Sequence, residues 1–226
     1  MDEAIKNEIK AIVENVEFGV PMRTKTSFRV GGPADALTSP KDAMELQRLL
    51  RYIKEKGLPS FVLGRGTNLL VMDGGVRGVV IDLKGFNKLE VRDGGFIYSG
   101  AGIPLAKLVY FAMENSLAGL EFASGIPGSV GGAIVMNAGA DDGETRDVVE
   151  SVTLMAEDGD IKEVKKESLG FSYRNLNLPK GSIVLGAEFK LWAGDKETIK
   201  ERIHHLLHAR KTKQPLDLPN AGCIFK

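Results

Sequence analysis

Apolar residues recur at helical spacing in four stretches of the chain. Residues 3–14 carry Ala4, Ile5, Ile9, Ile12 and Val13, and residues 41–56 form an amphipathic helix that starts after Ser39-Pro40 and stops at Gly57. A third helix is predicted over 104–115. A long fourth covers about 196–211, with Ile199, Ile203, Leu206 and Leu207 as its apolar stripe. Strand-like runs are predicted at 28–38, around Gly31-Gly32-Pro33, and near 61–63, 69–72 and 78–83. A hairpin over 88–99 turns at Asp93-Gly94-Gly95; runs at 148–156 and 161–164 flank Asp158-Gly159; a further strand covers 182–192. Mixed strands and helices predict an α+β chain in two lobes, residues 1–84 and 85–226, with a ligand in the crevice between them.

Two segments interrupt this pattern with glycine. Phe61-Val-Leu-Gly-Arg-Gly-Thr-Asn-Leu-Leu-Val71 reads as short strand, tight loop and short strand. Its loop is Gly64, Arg65, Gly66, Thr67 and Asn68, and Leu69 resumes the apolar run. The second segment is Gly125-Ile-Pro-Gly-Ser-Val-Gly-Gly-Ala-Ile-Val-Met-Asn-Ala-Gly-Ala140. A flexible linker would lack bulky apolar residues, whereas this one carries Ile126, Val130, Ile134, Val135 and Met136, so it is a packed loop. Glycine permits positive φ and close backbone approach, and Pro127 fixes one φ. Exposed N–H groups in such loops bond an anion or the edge of a planar ring. Either loop alone reads equally well as a packing turn. The pair, with Thr67 and Asn68 as side-chain donors in the first, points to a ligand with a diphosphate and a large ring system. Standard nucleotide motifs do not fit. Gly64-Arg-Gly-Thr-Asn-Leu69 lacks the third glycine of the dinucleotide fingerprint and leads into an apolar run, not a helix, and no phosphate loop of the Gly-x-x-x-x-Gly-Lys type occurs.

Composition narrows the partners. The 226 residues hold 30 basic and 30 acidic side chains, so no nucleic-acid or anionic-membrane surface is expected. No run of about eighteen apolar residues suggests a membrane span. Residues 1–10 are acidic and amphipathic, unlike a secretion signal, and the single cysteine excludes an internal disulfide. A cytoplasmic protein is expected. His204 and His208 stand four apart on the last helix, but no carboxylate or cysteine of metal-motif type accompanies them and they fall off the apolar stripe, so no metal is expected. Arg210, Lys211 and Lys213 close that helix at its negative end.

Five pieces in order resemble the MurB family, the flavin-dependent UDP-N-acetylenolpyruvoylglucosamine reductases of peptidoglycan synthesis. They are Thr26-Ser-Phe-Arg-Val-Gly-Gly-Pro-Ala-Asp35, Gly64 to Val71, Gly125 to Ala140, Phe171-Ser-Tyr-Arg174, and Gln214-Pro-Leu-Asp-Leu-Pro-Asn-Ala-Gly-Cys-Ile-Phe-Lys226. The resemblance covers nearly the whole chain. It implies the two-lobed FAD-binding fold shared with vanillyl-alcohol oxidases. It also implies NADPH as hydride donor and a UDP-linked amino-sugar as substrate, with no obligate protein partner. Cofactor contacts are expected from Gly64, Arg65, Gly66, Thr67, Asn68 and Leu69, and from Gly125, Ile126, Pro127, Gly128, Ser129, Gly131, Gly132 and Asn137.

Two residues acquire chemical roles from the resemblance. By spacing alone Arg174 is an ordinary surface charge. In the family the Arg of this Tyr-Arg pair contacts the carboxylate side of the enolpyruvyl group, where a permanent cation stabilises the charge that follows hydride addition. By itself Cys223 is a small apolar residue. It falls where the family usually has the serine that protonates the substrate carbon, and a thiol is the stronger acid. The family's motif runs on into a third lobe with a catalytic glutamate that has no counterpart before Lys226, so a truncated form with incomplete catalysis is expected. Two other readings stay open on the residues: another FAD-dependent oxidase or dehydrogenase of this fold, betrayed by oxygen consumption with an alcohol, and a non-catalytic nucleotide-binding module, betrayed by bound flavin without turnover.

Overall fold

The computed structural model describes residues 1–141, 143–215 and 217–222. The first half begins with helix α1 (Glu3–Ile12), capped by the Asp2 carboxylate on the Ile5 N–H at 2.8 Å. Strands β1 (Val16–Pro21) and β2 (Pro33–Thr38), helix α2 (Ala43–Glu55), and strands β3 (Ser60–Leu63) and β4 (Val76–Asp82) follow. The sheet order is β1-β2-β4-β3, with β1 antiparallel to β2 and the other neighbours parallel. Each face of this sheet buries a different layer. Ala36, Val79 and Ile81 join Leu46, Leu49 and Ile53 of α2 and Ile9 of α1 in the main core, while Leu37, Leu63 and Val80 pack with Val20, Met22 and Val71 on the other side.

Strand β1, not predicted from the sequence, alternates in burial, with Val16, Phe18 and Val20 turned inward and Glu17, Gly19 and Pro21 exposed; Gly19 (φ +65°) and Pro21 are the turn-type residues that mask it. It is an edge strand, and its Phe18 ring lies 5.8 Å from Lys6 Nζ and 5.5 Å from Lys10 Nζ of α1. Flanking lysines of this kind discourage edge-to-edge pairing. The expected strand at 69–72 does not form. Val71 is buried in the smaller core layer and Leu70 and Met72 are exposed, as alternation requires, but no neighbouring strand runs alongside among the described residues. The segment instead lies over Gly31-Gly32, with the Gly32 N–H donating to the Met72 carbonyl at 3.0 Å. The strand predicted from residue 28 starts only at Pro33, since Arg29 and Gly31 take positive φ.

The second half is built on an all-antiparallel sheet. Its elements are β5 (Leu89–Arg92), β6 (Phe96–Gly100), helix α3 (Leu105–Glu114), β7 (Leu117–Ala118), α4 (Val130–Val135), β8 (Gly139–Ala140), β9 (Gly143–Glu144), α5 (Thr145–Val148), β10 (Val149–Met155), β11 (Ile161–Lys165), β12 (Gly170–Ser172), β13 (Asn175–Asn177), β14 (Ile183–Lys190), β15 (Trp192–Ala193) and α6 (Lys196–Lys213). The large sheet has the order β11-β10-β14-β6-β5. Central strand β14 is buried from Ile183 to Ala187, and its apolar residues join the same core that α2 covers. Among the described residues no helix is long and apolar enough to cross a membrane.

Asp35, at the end of the Thr26–Asp35 motif, has a structural task. Ala34 and Ala36 of β2 pair with Val76 and Val79 of β4, so β4 carries an extra residue there, a β-bulge. Asp35 accepts the Gly78 N–H at 2.9 Å and pairs with Arg77 at 2.7 Å, while Arg77 also donates to the carbonyls of Pro33 and Gly74. Removing this acceptor leaves an amide of a central strand without its partner. Asp35→Ala should cost about 1–3 kcal/mol in urea unfolding. Asp35→Asn keeps an acceptor, loses only a half-exposed ion pair, and should cost less than about 1 kcal/mol. Equal midpoints for both variants and the native chain would contradict the clamp.

Candidate active site

The first glycine loop continues directly from the carboxyl end of β3, a parallel strand. Gly66 has φ +63°, and a methyl group there would lie 2.0 Å from the Lys25 carbonyl oxygen. The Gly66 carbonyl accepts the Ser27 N–H at 3.0 Å, so this loop and the start of the Thr26–Asp35 motif are in backbone contact. Among the described residues, the backbone N–H groups of Arg65, Gly66, Thr67 and Asn68 donate to no protein acceptor. Amides left free of protein acceptors in a glycine-containing loop are suited to an anion.

The second glycine segment is not all loop. Its centre folds into α4, capped by the Ser129 hydroxyl, which accepts the Gly132 N–H at 3.3 Å. Glycines lower helix propensity, so the sequence pattern hides this turn; tertiary bonds supply it. The Val130 N–H donates to the Ile103 carbonyl at 2.8 Å and the Gly131 N–H to the Ala101 carbonyl at 2.9 Å. A methyl group on Gly131 would stand 2.8 Å from Ala101 Cβ, which accounts for the glycine. The first amides of α4 are therefore committed to the protein. The end of α6 buttresses the entry to this segment: a side chain on Gly125 would meet Arg210 Cδ at 2.9 Å and Leu207 at 3.1 Å.

The two segments meet. The Thr67 hydroxyl donates to the Pro127 carbonyl at 3.0 Å, and a methyl group on Gly64 would lie 2.8 Å from Ser129 Oγ. Together they line a cavity of about 830 Å³ that takes in Gly64, Arg65, Ser129, Gly131, Gly132 and Met136. Its far wall comes from β13 and the loop before β14, and Lys84 and Lys180 supply cations. Those lysines, and Asn175 and Asn177, had no signal in the sequence, because only the topology brings the end of β4 and the β13–β14 connection to the glycine loops.

The other expected contacts have different neighbours. Gly66, Thr67 and the residues from Gly125 to Gly128 shape the loops without lining the cavity, and Leu69 packs beside the smaller core layer. Asn68 points toward the C-terminal motif, its Oδ1 lying 3.1 Å from where a side chain on Gly222 would begin. Ser27 Oγ donates to the Asn220 carbonyl at 2.7 Å. The C-terminal motif is thus laid against the first loop. Cys223 itself lies outside the described residues.

Arg174 occupies a second hollow of about 560 Å³, shared with Glu144, Arg146, Tyr173 and Asn137; Asn137, expected among the cofactor contacts, does not line the larger cavity. Tyr173 and Arg174 form the two-residue turn between β12 and β13, flanked by the Ser172–Asn175 pair, and Arg174 takes φ +55°. Tyr173 is exposed, and the Arg174 guanidinium lies 5.9 Å from its ring centroid. One hairpin therefore serves both hollows. Its returning strand, with Leu176 buried as anchor, walls the larger cavity, and its tip presents Arg174 in the smaller one. His204, His205 and His208 are exposed on α6, as the apolar stripe requires.

Comparison with known proteins agrees with this architecture. The family described as an FAD binding domain matches residues 34–165. The UDP-N-acetylenolpyruvoylglucosamine reductase of Syntrophus aciditrophicus is 45% identical over 234 residues, an alignment covering all of this chain and 74% of that protein. The crystal structure of UDP-N-acetylenolpyruvylglucosamine reductase from Thermus caldophilus superposes with a TM-score of 0.81 at 39% identity, covering 94% of this chain and 74% of that one. A berberine bridge enzyme shares the fold alone, with a TM-score of 0.65 at 17% identity, covering 84% of this chain and 44% of its own.

The packing of the first loop makes a direct prediction. Gly66→Ala combines a left-handed φ with a carbonyl clash and should destabilise the fold by more than about 1 kcal/mol. Gly74→Ala, where nothing lies within 4 Å and φ is unremarkable, should leave thermal unfolding nearly unchanged. A Gly66→Ala protein as stable as the Gly74→Ala one would contradict the close contact.

Proposed function

This chain belongs to the UDP-N-acetylenolpyruvoylglucosamine reductase family, and we propose that its two glycine loops hold FAD while the Tyr173-Arg174 turn meets the substrate. The activity is reduction of UDP-N-acetylglucosamine enolpyruvate to UDP-N-acetylmuramate in peptidoglycan precursor synthesis. The observation that carries this is 45% identity to a reductase of that name along the whole chain.

The residues suit the cofactor. A cavity of about 830 Å³ falls in the range for a bound organic ligand. The uncommitted amides of Arg65 to Asn68 suit a diphosphate, with Lys84 and Lys180 offsetting its charge. When bound, FAD supplies the two-electron chemistry that accepts hydride from NADPH and passes it to the enolpyruvyl methylene carbon. The protein's own part is position and charge. Arg174 faces the enolpyruvyl carboxylate and stabilises the negative charge that develops there as hydride adds; it stays cationic throughout. Cys223 then gives its proton to the adjacent carbon, so that one hydride and one proton are added across the double bond, and the thiolate recovers a proton from solvent. We read the join between the two lobes as residues 84 and 85, and the cytoplasm as the compartment of the reaction.

Two substitutions separate the half-reactions in the FAD-loaded enzyme. Arg174→Ala should leave flavin reduction by NADPH near native and slow reoxidation by the enolpyruvyl substrate about 10²–10³-fold, the usual cost of losing one charge-stabilising donor. Native reoxidation would remove Arg174 from the chemistry. Cys223→Ala should slow the same half-reaction about 10²–10⁴-fold, while Cys223→Ser retains it with a shifted pH profile. Stopped-flow absorbance of the flavin reads both, and a fully active Cys223→Ala enzyme would return that residue to a packing role.

A further inference from the structure

We propose that Asn137 is the positioning residue for Arg174, an inference that rests on the reading of Arg174 as the group that meets the substrate. Asn137 stands two residues beyond the end of α4, right after Met136, which lines the larger cavity. It is 2% exposed and takes φ +39°. Asparagine enters the left-handed region more readily than most residues, and such conformations persist where the surroundings over-determine them.

The side chain of Asn137 reaches three residues in two other segments at once. Nδ2 donates to the Ser172 carbonyl at 3.0 Å and to Glu144 Oε2 at 2.7 Å, and Oδ1 accepts the Arg146 N–H at 3.0 Å. The other carboxylate oxygen of Glu144 pairs with the Arg146 guanidinium, which fixes how Glu144 presents itself. Ser172 is the last residue of β12 and immediately precedes Tyr173-Arg174. One buried carboxamide thus ties the wall of the cofactor cavity to the strand that ends at the Arg174 turn. The arrangement needs two donors and an acceptor in one plane, which only a primary amide provides. An aliphatic side chain would leave the Ser172 carbonyl, the Glu144 carboxylate and the Arg146 amide each short of a partner. Placement of a charge-stabilising group to within about 1 Å is worth on the order of 10²-fold in rate, so the hold on this turn has a kinetic consequence.

The test uses Asn137→Gly, which suits the left-handed backbone while removing the amide, and Asn137→Asp, which keeps the shape while removing both donors. In the FAD-loaded enzyme both variants should retain FAD and reduction by NADPH. Reoxidation by UDP-N-acetylglucosamine enolpyruvate should slow about 10- to 10²-fold. Asn137→Gly added to Arg174→Ala should cost nothing further, because the two residues act as one unit. Without cofactor, amide hydrogen exchange at Ser172 to Asn177 should rise while that of β10 and β14 holds. The Asp variant should recover part of its rate as pH falls, since a protonated carboxyl regains a donor. Native reoxidation in Asn137→Gly, losses additive with Arg174→Ala, or loss of FAD or of the fold in both variants would overturn the proposal. If Arg174→Ala alone reoxidises normally while the hairpin still loosens in Asn137→Gly, the failure belongs to the reading of Arg174 and not to the hold that Asn137 exerts.

Discussion

The closeness of the two glycine segments is the constraint on which the site depends. The Thr67–Pro127 hydrogen bond and the missing side chain at Gly64, opposite Ser129, join residues about sixty apart in sequence across the boundary between the two sheets. Side chains larger than hydrogen at Gly64, Gly66 or Gly131 would enter space already held by Ser129, Lys25 or Ala101. Glycine is thus required here chiefly by protein against protein. The amides left over belong to the first loop: Ile103, Ala101 and Ser129 take the first N–H groups of α4, whereas those of Arg65 to Asn68 donate to no protein acceptor among the described residues.

From that junction the rest of the site follows by topology. The parallel strand β3 delivers the first loop, and α3, the bridge between Pro104 and Ser129, and the end of α6 brace the second. The antiparallel sheet sends out the β12–β13 hairpin, which walls the larger cavity with one strand and shows Arg174 to the adjoining hollow at its tip. In the proposed function one small element therefore serves both cofactor and charge-stabilising residue, and Asn137 ties its base to the segment following α4.

Much of the fold was legible because periodicity records burial. The helices α1, α2, α3 and α6 and the hairpins at 89–100 and 149–165 appear where apolar spacing and turn residues put them. The pattern misled where tertiary contacts override it. Leu69 and Val71 turn inward and Leu70 and Met72 outward with no strand to pair with among the described residues; α4 forms among glycines because Ser129, Ile103 and Ala101 take its amides; β1 alternates at Val16, Phe18 and Val20 beneath the turn residues Gly19 and Pro21. In the site, the glycine pair pointed to a dinucleotide-like ligand, but nothing local to Lys84, Lys180 or Asn175 announced that they share its cavity. Asn137 looked like one more polar residue of a binding loop, and only the fold reveals that its amide reaches Ser172.

The joined loops as a single FAD cradle are tested most directly by titrating the cofactor-free chain with FAD and following visible absorbance. One FAD should bind per chain, noncovalently, and heat should release all of it. Gly128→Val should weaken that binding by at least tenfold, because a β-branched side chain at φ +146° presses on Thr67, whose hydroxyl lies 3.4 Å from the nearest position a Cβ could take. A chain that stays colourless with excess FAD, or a folded Gly128→Val variant that binds FAD as tightly as the native chain, would contradict the cradle.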